Sequence, residues 1–336
     1  MFNVRNGEIY MIKLKTFGSF TVGNGLTSVQ EGAWRSEKLE KLFVYLAMNR
    51  NRGVCIEDIS EAIWQVEEET DNPVGALKNL AYRLRKALRD ASFDEECIVS
   101  VRGGLYKWND DVEVTIDVEE FDRYINEAEM AFCRSKETAI ESYEKAIALY
   151  HGDFLPLRTD THWFMTLNAF YHSRYVNTVK ALAKLYIDTG CYEKLEQLCI
   201  RAIVYERSDE QIYSYLIMAR MRTKKVQMAF DTYETAKAIM DKDLGVRKTV
   251  MLNKVYEELL SVTKGVSSYN IDEVKEDINE ESMEGVFMCG YPVFKEIYHL
   301  EVRKSARSTV PESLVLITVA PVSYTHLRAH ETAANL

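Results

Sequence analysis

From about Asp117 to Val262 the sequence repeats a pair of amphipathic helices roughly every 34 residues. No other feature restricts the fold as strongly. One such pair cannot bury its own apolar face, so successive pairs must stack into a shared core. "KETAIESYEKAIALY" is one helix of the series. "THWFMTLNAFYHSRYVNTVKALAKLYIDTG" is a longer one that ends on Gly190, a natural residue for the left-handed position after a helix. "CYEKLEQLCIRAIVYER", "DEQIYSYLIMARMRTKK" and "VQMAFDTYETAKAIMDKDLG" follow. Ala202, Ala219, Ala229 and Ala236 alternate with Tyr, Leu and Ile, the spacing that close helix packing asks for. The chain is therefore mainly α.

The residues before this array read differently. "MIKLKTF" and "SFTV" are short strands. In "SEKLEKLFVYLAMNR", Leu39, Leu42, Phe43 and Leu46 follow helical spacing. "CIEDISEAIW" is a second helix, with Ile56, Ile59, Ile63 and Trp64 inward. "DNPVGALKNLAYRLRKALRD" is a third, with Asn72 as its cap and Pro73 at its first position. "CIVSVRGGLYKW" then reads as a hairpin in which Gly103 and Gly104 form a two-residue turn. Strands, three helices and a closing hairpin, in that order, predict an α+β winged helix-turn-helix ahead of the helical array.

The formal net charge of −10 would exclude a nucleic-acid binder if it were spread evenly. It is not. The acids concentrate in Glu67–Glu69 and in Asp272–Glu284, whereas Pro73 to Arg89 holds five basic residues and no acid. At 100° per residue, Leu80, Ala81, Leu84 and Leu88 fall within about 60° of Leu77 and form the buried stripe. Asn79, Tyr82, Arg83 and Lys86 lie opposite, and Lys78, Arg85 and Arg89 occupy one flank. Arg pairs bidentately with guanine and Asn with adenine, while Lys and flanking Arg neutralise phosphates. Arg102, beside the hairpin tip, is placed to reach a minor groove or a phosphate. The plainer reading of the same face is a solvated basic surface.

Other chemistry finds little support. Cys55, Cys97, Cys133, Cys191, Cys199 and Cys289 are scattered without a C-x-x-C pair, as in a reduced cytosolic chain. No nucleophile elbow, Walker loop or dinucleotide fingerprint occurs, so neither an enzyme nor a cofactor is expected. His151, His162 and His172 lack the spacing and acids of a metal site, and no run reaches membrane-span length.

"ALKNLAYRLRKAL…CIVSVRGGLYKW" resembles the recognition helix and wing of OmpR-type winged-helix regulators, through Arg83-Leu84-Arg85-Lys86 and Val101-Arg102-Gly103-Gly104-Leu105-Tyr106. Gly104-Leu105 departs from that pattern, where a residue and then Gly is usual. "VEEFDRYINEAE" and "AIESYEKAIALYHGDFLP" resemble the bacterial transcriptional activator domain of AfsR/SARP-type regulators. The resemblance implies double-stranded DNA as partner, with direct repeats near promoters as its sites. It also implies that the tetratricopeptide-like domain contacts RNA polymerase and mediates homodimerisation. No receiver domain is seen, so phosphorelay control on this polypeptide is not expected. Two other readings stay open: a helical-repeat interaction scaffold whose winged helix no longer binds DNA, and a signalling protein with its chemistry in a further C-terminal domain.

The organisation expected is an extension over 1–10, with Met11 a candidate native start, a winged helix over 11–112 and the helical domain over 113–262. An acidic linker follows over 263–284. "FMCGYPVFKEIYHLEVRKSARSTVPESLVLITV" weakly resembles the opening elements of a GGDEF-like α/β domain, over 285–321. His326 and His330 have the i, i+4 spacing of a zinc pair, yet two ligands are too few. "VSYTHLRAHET" instead resembles a translated sequencing adapter, and 322–336 are expected to be foreign to the native chain.

Overall fold

The computed structural model describes residues 4–5, 8–9, 11–65, 72–93, 97–101, 104–158, 160–244, 250–265 and 291–305. It is mainly α, with a small N-terminal sheet. Within the expected N-terminal extension, β1 (Val4–Arg5) and β2 (Glu8–Ile9) pair antiparallel. β3 (Ile12–Lys15), β4 (Thr21–Gly23) and β5 (Ser28–Gln30) form an antiparallel meander. Ile12, Leu14, Val22 and Val29 point inward by the two-residue alternation of a half-buried sheet.

Three helices that pack on one another follow: α1 (Glu37–Met48), α2 (Ile56–Ile63) and α3 (Pro73–Asp90). The hairpin of β6 (Ile98–Val101) and β7 (Leu105–Trp108) closes the unit. Val101 opposes Leu105, so the connection is the three residues 102–104 rather than the two-residue turn expected. Gly104 takes the left-handed conformation at φ 80°, as three-residue hairpin loops require at that place. Val54 pairs with Tyr106, which ties the segment before α2 to the hairpin.

The sheet extends past residue 112. β8 (Val114–Ile116) lies parallel to β3, with Leu14 opposite Ile116, and runs straight into α4 (Asp117–Ala131). The buried Asp117 carboxylate accepts from the Thr16 and Phe17 amides at 2.7 and 2.9 Å and from the Thr16 hydroxyl. The first residue of the helical array thus satisfies donors at the end of the first long strand.

The array continues with α5 (Lys136–Leu149), α6 (His162–Thr189), α7 (Tyr192–Tyr205), α8 (Glu210–Arg222), α9 (Val226–Leu244) and α10 (Val250–Gly265). Gly190 ends α6 at φ 71°, as its place in the sequence predicts. One apolar core runs from Ile12 to Ala219, and a second, smaller cluster joins α8, α9 and α10. The winged helix and the array therefore share a core and form one compact unit. α11 (Tyr291–Ser305) belongs to a second unit. The acidic stretches 67–69 and 272–284 and the His326/His330 pair lie outside the described residues. No described helix is long and apolar enough to cross a membrane, and no described cluster of His, Cys, Asp and Glu could hold a metal ion.

Candidate nucleic-acid interface

α3 owes its position to its ends and to its stripe. The Asn72 side chain accepts from the Gly75 amide at 2.9 Å, and Pro73 opens the helix. A Cβ at Gly75 would fall 2.7 Å from the Asn72 amide nitrogen, so a larger residue there would displace the capping side chain. Leu77, Leu80, Ala81, Leu84 and Leu88 are all buried, which is the stripe the helical phase predicts. α1 and α2 pack against it and leave the far side uncovered.

On that side Lys78, Asn79, Tyr82, Arg83 and Lys86 are exposed, Tyr82 to 65 %. Among the described residues, none of these five side chains makes a hydrogen bond or an ion pair. Arg89 is also exposed. Arg85 departs from the expected flank position: it is half-buried, and its Nε donates to the Ile98 carbonyl at 3.1 Å. At about 80° from Leu77 the side chain can turn either way, and here it turns toward the hairpin. Arg102 lies outside the described residues.

The charges at the other side of the winged helix behave oppositely. Glu40 and Lys41 on α1 are buried, although the local sequence reads them as solvated. Glu40 accepts from Arg158 Nη2 at 2.5 Å and from the Gly32 amide at 2.8 Å. Arg158 sits in the short 3-10 turn before α6 and also meets Glu31 at 3.3 Å and Glu37 at 3.7 Å. Lys41 pairs with Asp160, which also accepts from Gln65 Nε2 at 2.8 Å. Arg50 and Glu119 form a two-pronged pair at 2.5 and 2.7 Å, and the Thr161 hydroxyl donates to the Ala62 carbonyl. Phe17 pairs with Phe154, and the Tyr45 and Trp163 rings meet edge to face at 4.8 Å. These contacts fasten the N-terminal domain to the helical array, and none of them uses a residue of α3.

Within the array His172 lies between two carboxylates, 2.8 Å from Asp153 and 3.1 Å from Glu206. The Asp153 hydrogen bond first, and that to Glu206 next, lift its pKa from 6.5 to about 9 against the effect of burial. It is a cationic brace, and the sequence signals only a histidine without metal-site spacing.

Comparison with known proteins places both halves. Residues 31–108 match the family described as transcriptional regulatory protein, C terminal, and residues 116–260 match the bacterial transcriptional activator domain. The chain is similar to the transcriptional regulator RedD of Streptomyces coelicolor, with 23 % identity over 238 residues, 70 % of this chain and 67 % of that one. It is similar in fold to Mycobacterium tuberculosis EmbR, solved in complex with a low affinity phosphopeptide. There the TM-score is 0.57 at 18 % identity, covering 81 % of this chain and 72 % of that one.

Proposed function

We propose that the chain, which joins a match to the transcriptional regulatory protein C-terminal family to one to the bacterial transcriptional activator domain, is an AfsR/SARP-type transcriptional regulator that activates transcription from direct repeats near promoters. The observation that carries the DNA-binding reading is the outward face of α3. It is cationic, carries an amide and an aromatic ring, has one acid, Asp90, at the last residue of the helix, and lies opposite the stripe that packs on α1 and α2. In this reading α3 enters a major groove, where Arg83 and Asn79 meet base edges and Tyr82 packs beside them. Lys78, Lys86 and Arg89 lie along the phosphates, with Arg102 on the hairpin beyond. The helical array presents its surface to RNA polymerase. Direct repeats require two copies to bind head to tail, not across a two-fold axis.

Selection of bound duplexes from a random pool tests this reading. A preferred sequence that recurs in tandem is expected, with affinity falling steeply with salt. Four phosphate-facing cations give a log–log slope of about −3 to −4. Recovery of no preferred sequence removes the activator reading. A partner captured by protein that has no DNA affinity even at low salt favours the interaction-scaffold reading instead.

A further inference from the structure

The turn between β4 and β5 touches the end of α3. Nδ2 of Asn24 donates to the Ser92 carbonyl at 3.0 Å, and the Thr27 hydroxyl donates to the Ala91 carbonyl, also at 3.0 Å. Oδ1 of Asn24 accepts from the Leu26 and Thr27 amides at 3.1 and 2.9 Å. Only one orientation of the side-chain amide satisfies all three partners, so its nitrogen is the atom at Ser92.

The two carbonyls lie where α3 stops. The Ser92 amide donates to the Arg89 carbonyl at 3.0 Å and the Phe93 amide to the Leu88 carbonyl at 2.9 Å. These paired bonds close a helix on a left-handed residue, a place usually filled by glycine. Here Ser92 fills it, at φ 63°. A residue with a side chain keeps that conformation only where its surroundings fix it. Asn24 and Thr27 tie residues 91 and 92 to the sheet, so the last turn of α3, with Arg89, leans on a donor at Asn24.

That donor is chemically impermanent, because Gly25 follows it. Gly25 is exposed, stands at φ 87° and has open space where a Cβ would lie. Its amide makes no hydrogen bond among the described residues, so nothing there retains its proton. The two amides on Asn24 Oδ1 stabilise the negative charge that this oxygen takes when a nucleophile adds to Cγ, as donors in an oxyanion hole do.

We infer that Asn24 is a site of spontaneous deamidation whose conversion releases the C-terminal end of α3. The Gly25 nitrogen gives its proton to solvent and bonds to Cγ. The Cγ–Nδ2 bond breaks, and Nδ2 takes a proton back from solvent and leaves as ammonia. Water then opens the cyclic imide at either carbonyl, which leaves an aspartate or an isoaspartate at position 24. Neither product has a nitrogen donor for the Ser92 carbonyl, and each sets a negative charge beside the negative end of the α3 dipole.

Peptide mapping of the full chain kept at mildly alkaline pH, folded and in urea, tests the chemistry. Mapping separates Asn24 from Asn6-Gly7, the other such pair in the sequence. Asn24 in the folded chain should convert at no less than about a tenth of its rate in urea, and a slower rate or no conversion would overturn the assignment. Hydrogen exchange tests the release. Asn24→Asp should speed exchange of the Ser92 and Phe93 amides at least tenfold and leave α6 unchanged. Adding Ser92→Gly should restore most of the protection, because glycine takes the left-handed conformation without a tether. Unchanged exchange in Asn24→Asp, faster exchange in α6 as well, or no recovery with Ser92→Gly would each overturn the release. The effect on DNA rests on the reading of α3 proposed above: Asn24→Asp should bind the selected duplex at least threefold more weakly. Faster exchange at Ser92 and Phe93 with unchanged affinity would bear out the release and count against that reading alone.

Discussion

Lys41 and Lys86 are the same residue on two helices of one small domain, and they have opposite lives. Lys41 is 2 % exposed and paired with Asp160, while Lys86 is exposed and makes no ion pair or hydrogen bond among the described residues. Arg158 and Arg83 repeat the contrast. A buried charge must be matched, since an unmatched one costs several kcal/mol. An exposed charge is solvated and remains available to a partner. The pairing of charges therefore separates the face that builds the molecule from the face proposed to meet DNA. Arg85 lies between these extremes, engaged by the Ile98 carbonyl yet half open to solvent.

The largest effect should come from the buried side. Arg158→Met leaves Glu40 buried without its cation and should cost about 3–5 kcal/mol in a urea unfolding curve. A loss below about 1 kcal/mol would place this network with ordinary surface pairs and dissolve the contrast. Glu40→Leu together with Arg158→Met should recover most of that loss.

Arg83→Ala should leave the unfolding midpoint unchanged and weaken binding to the selected duplex by about 1–3 kcal/mol, with relaxed preference at one base position. Equal weakening on every sequence would move Arg83 to the phosphates. Lys86→Ala should act more gently. It should lower affinity uniformly and reduce the salt slope by about 1. Arg85→Ala sharpens the middle case: if its work is to hold α3 against the hairpin, affinity falls while the slope stays unchanged. A slope reduced by about 1 would return Arg85 to the outward set.

The smallest effect concerns His172. Its folded pKa, about 9, lies above the ordinary 6.5, so its contribution is fully present below pH 6.5 and is lost as pH rises through 9. Stability should decline across that window, and His172→Gln should remove the decline. A slope that survives the substitution would assign it to another group.

Much of this was legible from helical phase. The buried stripe of α3, its Asn72 cap and its outward residues follow from spacing alone, as does the close of α6 at Gly190. What phase cannot show is what lies on the flanks. Residues 39–47 of α1 are buried all round because a second domain covers the side that local spacing leaves to solvent. Glu40 and Lys41 therefore read as surface residues. Arg85 sits at the edge of the stripe, where rotamer choice decides the outcome. The turn at Gly104 depended on strand register, which two adjacent glycines do not fix. The pairing of β8 with β3 joins segments a hundred residues apart through three residues, too short a run to carry its own signal.

That parallel strand bears on how the protein can be divided. A fragment ending at residue 112 keeps α3 and the hairpin but gives up β8, which exposes one whole edge of β3. It also gives up Asp117, so the amides of Thr16 and Phe17 lose their acceptor. An open strand edge invites pairing with another chain. A fragment meant to keep the proposed DNA-facing half intact should therefore run past Asp117, into the first helix of the array.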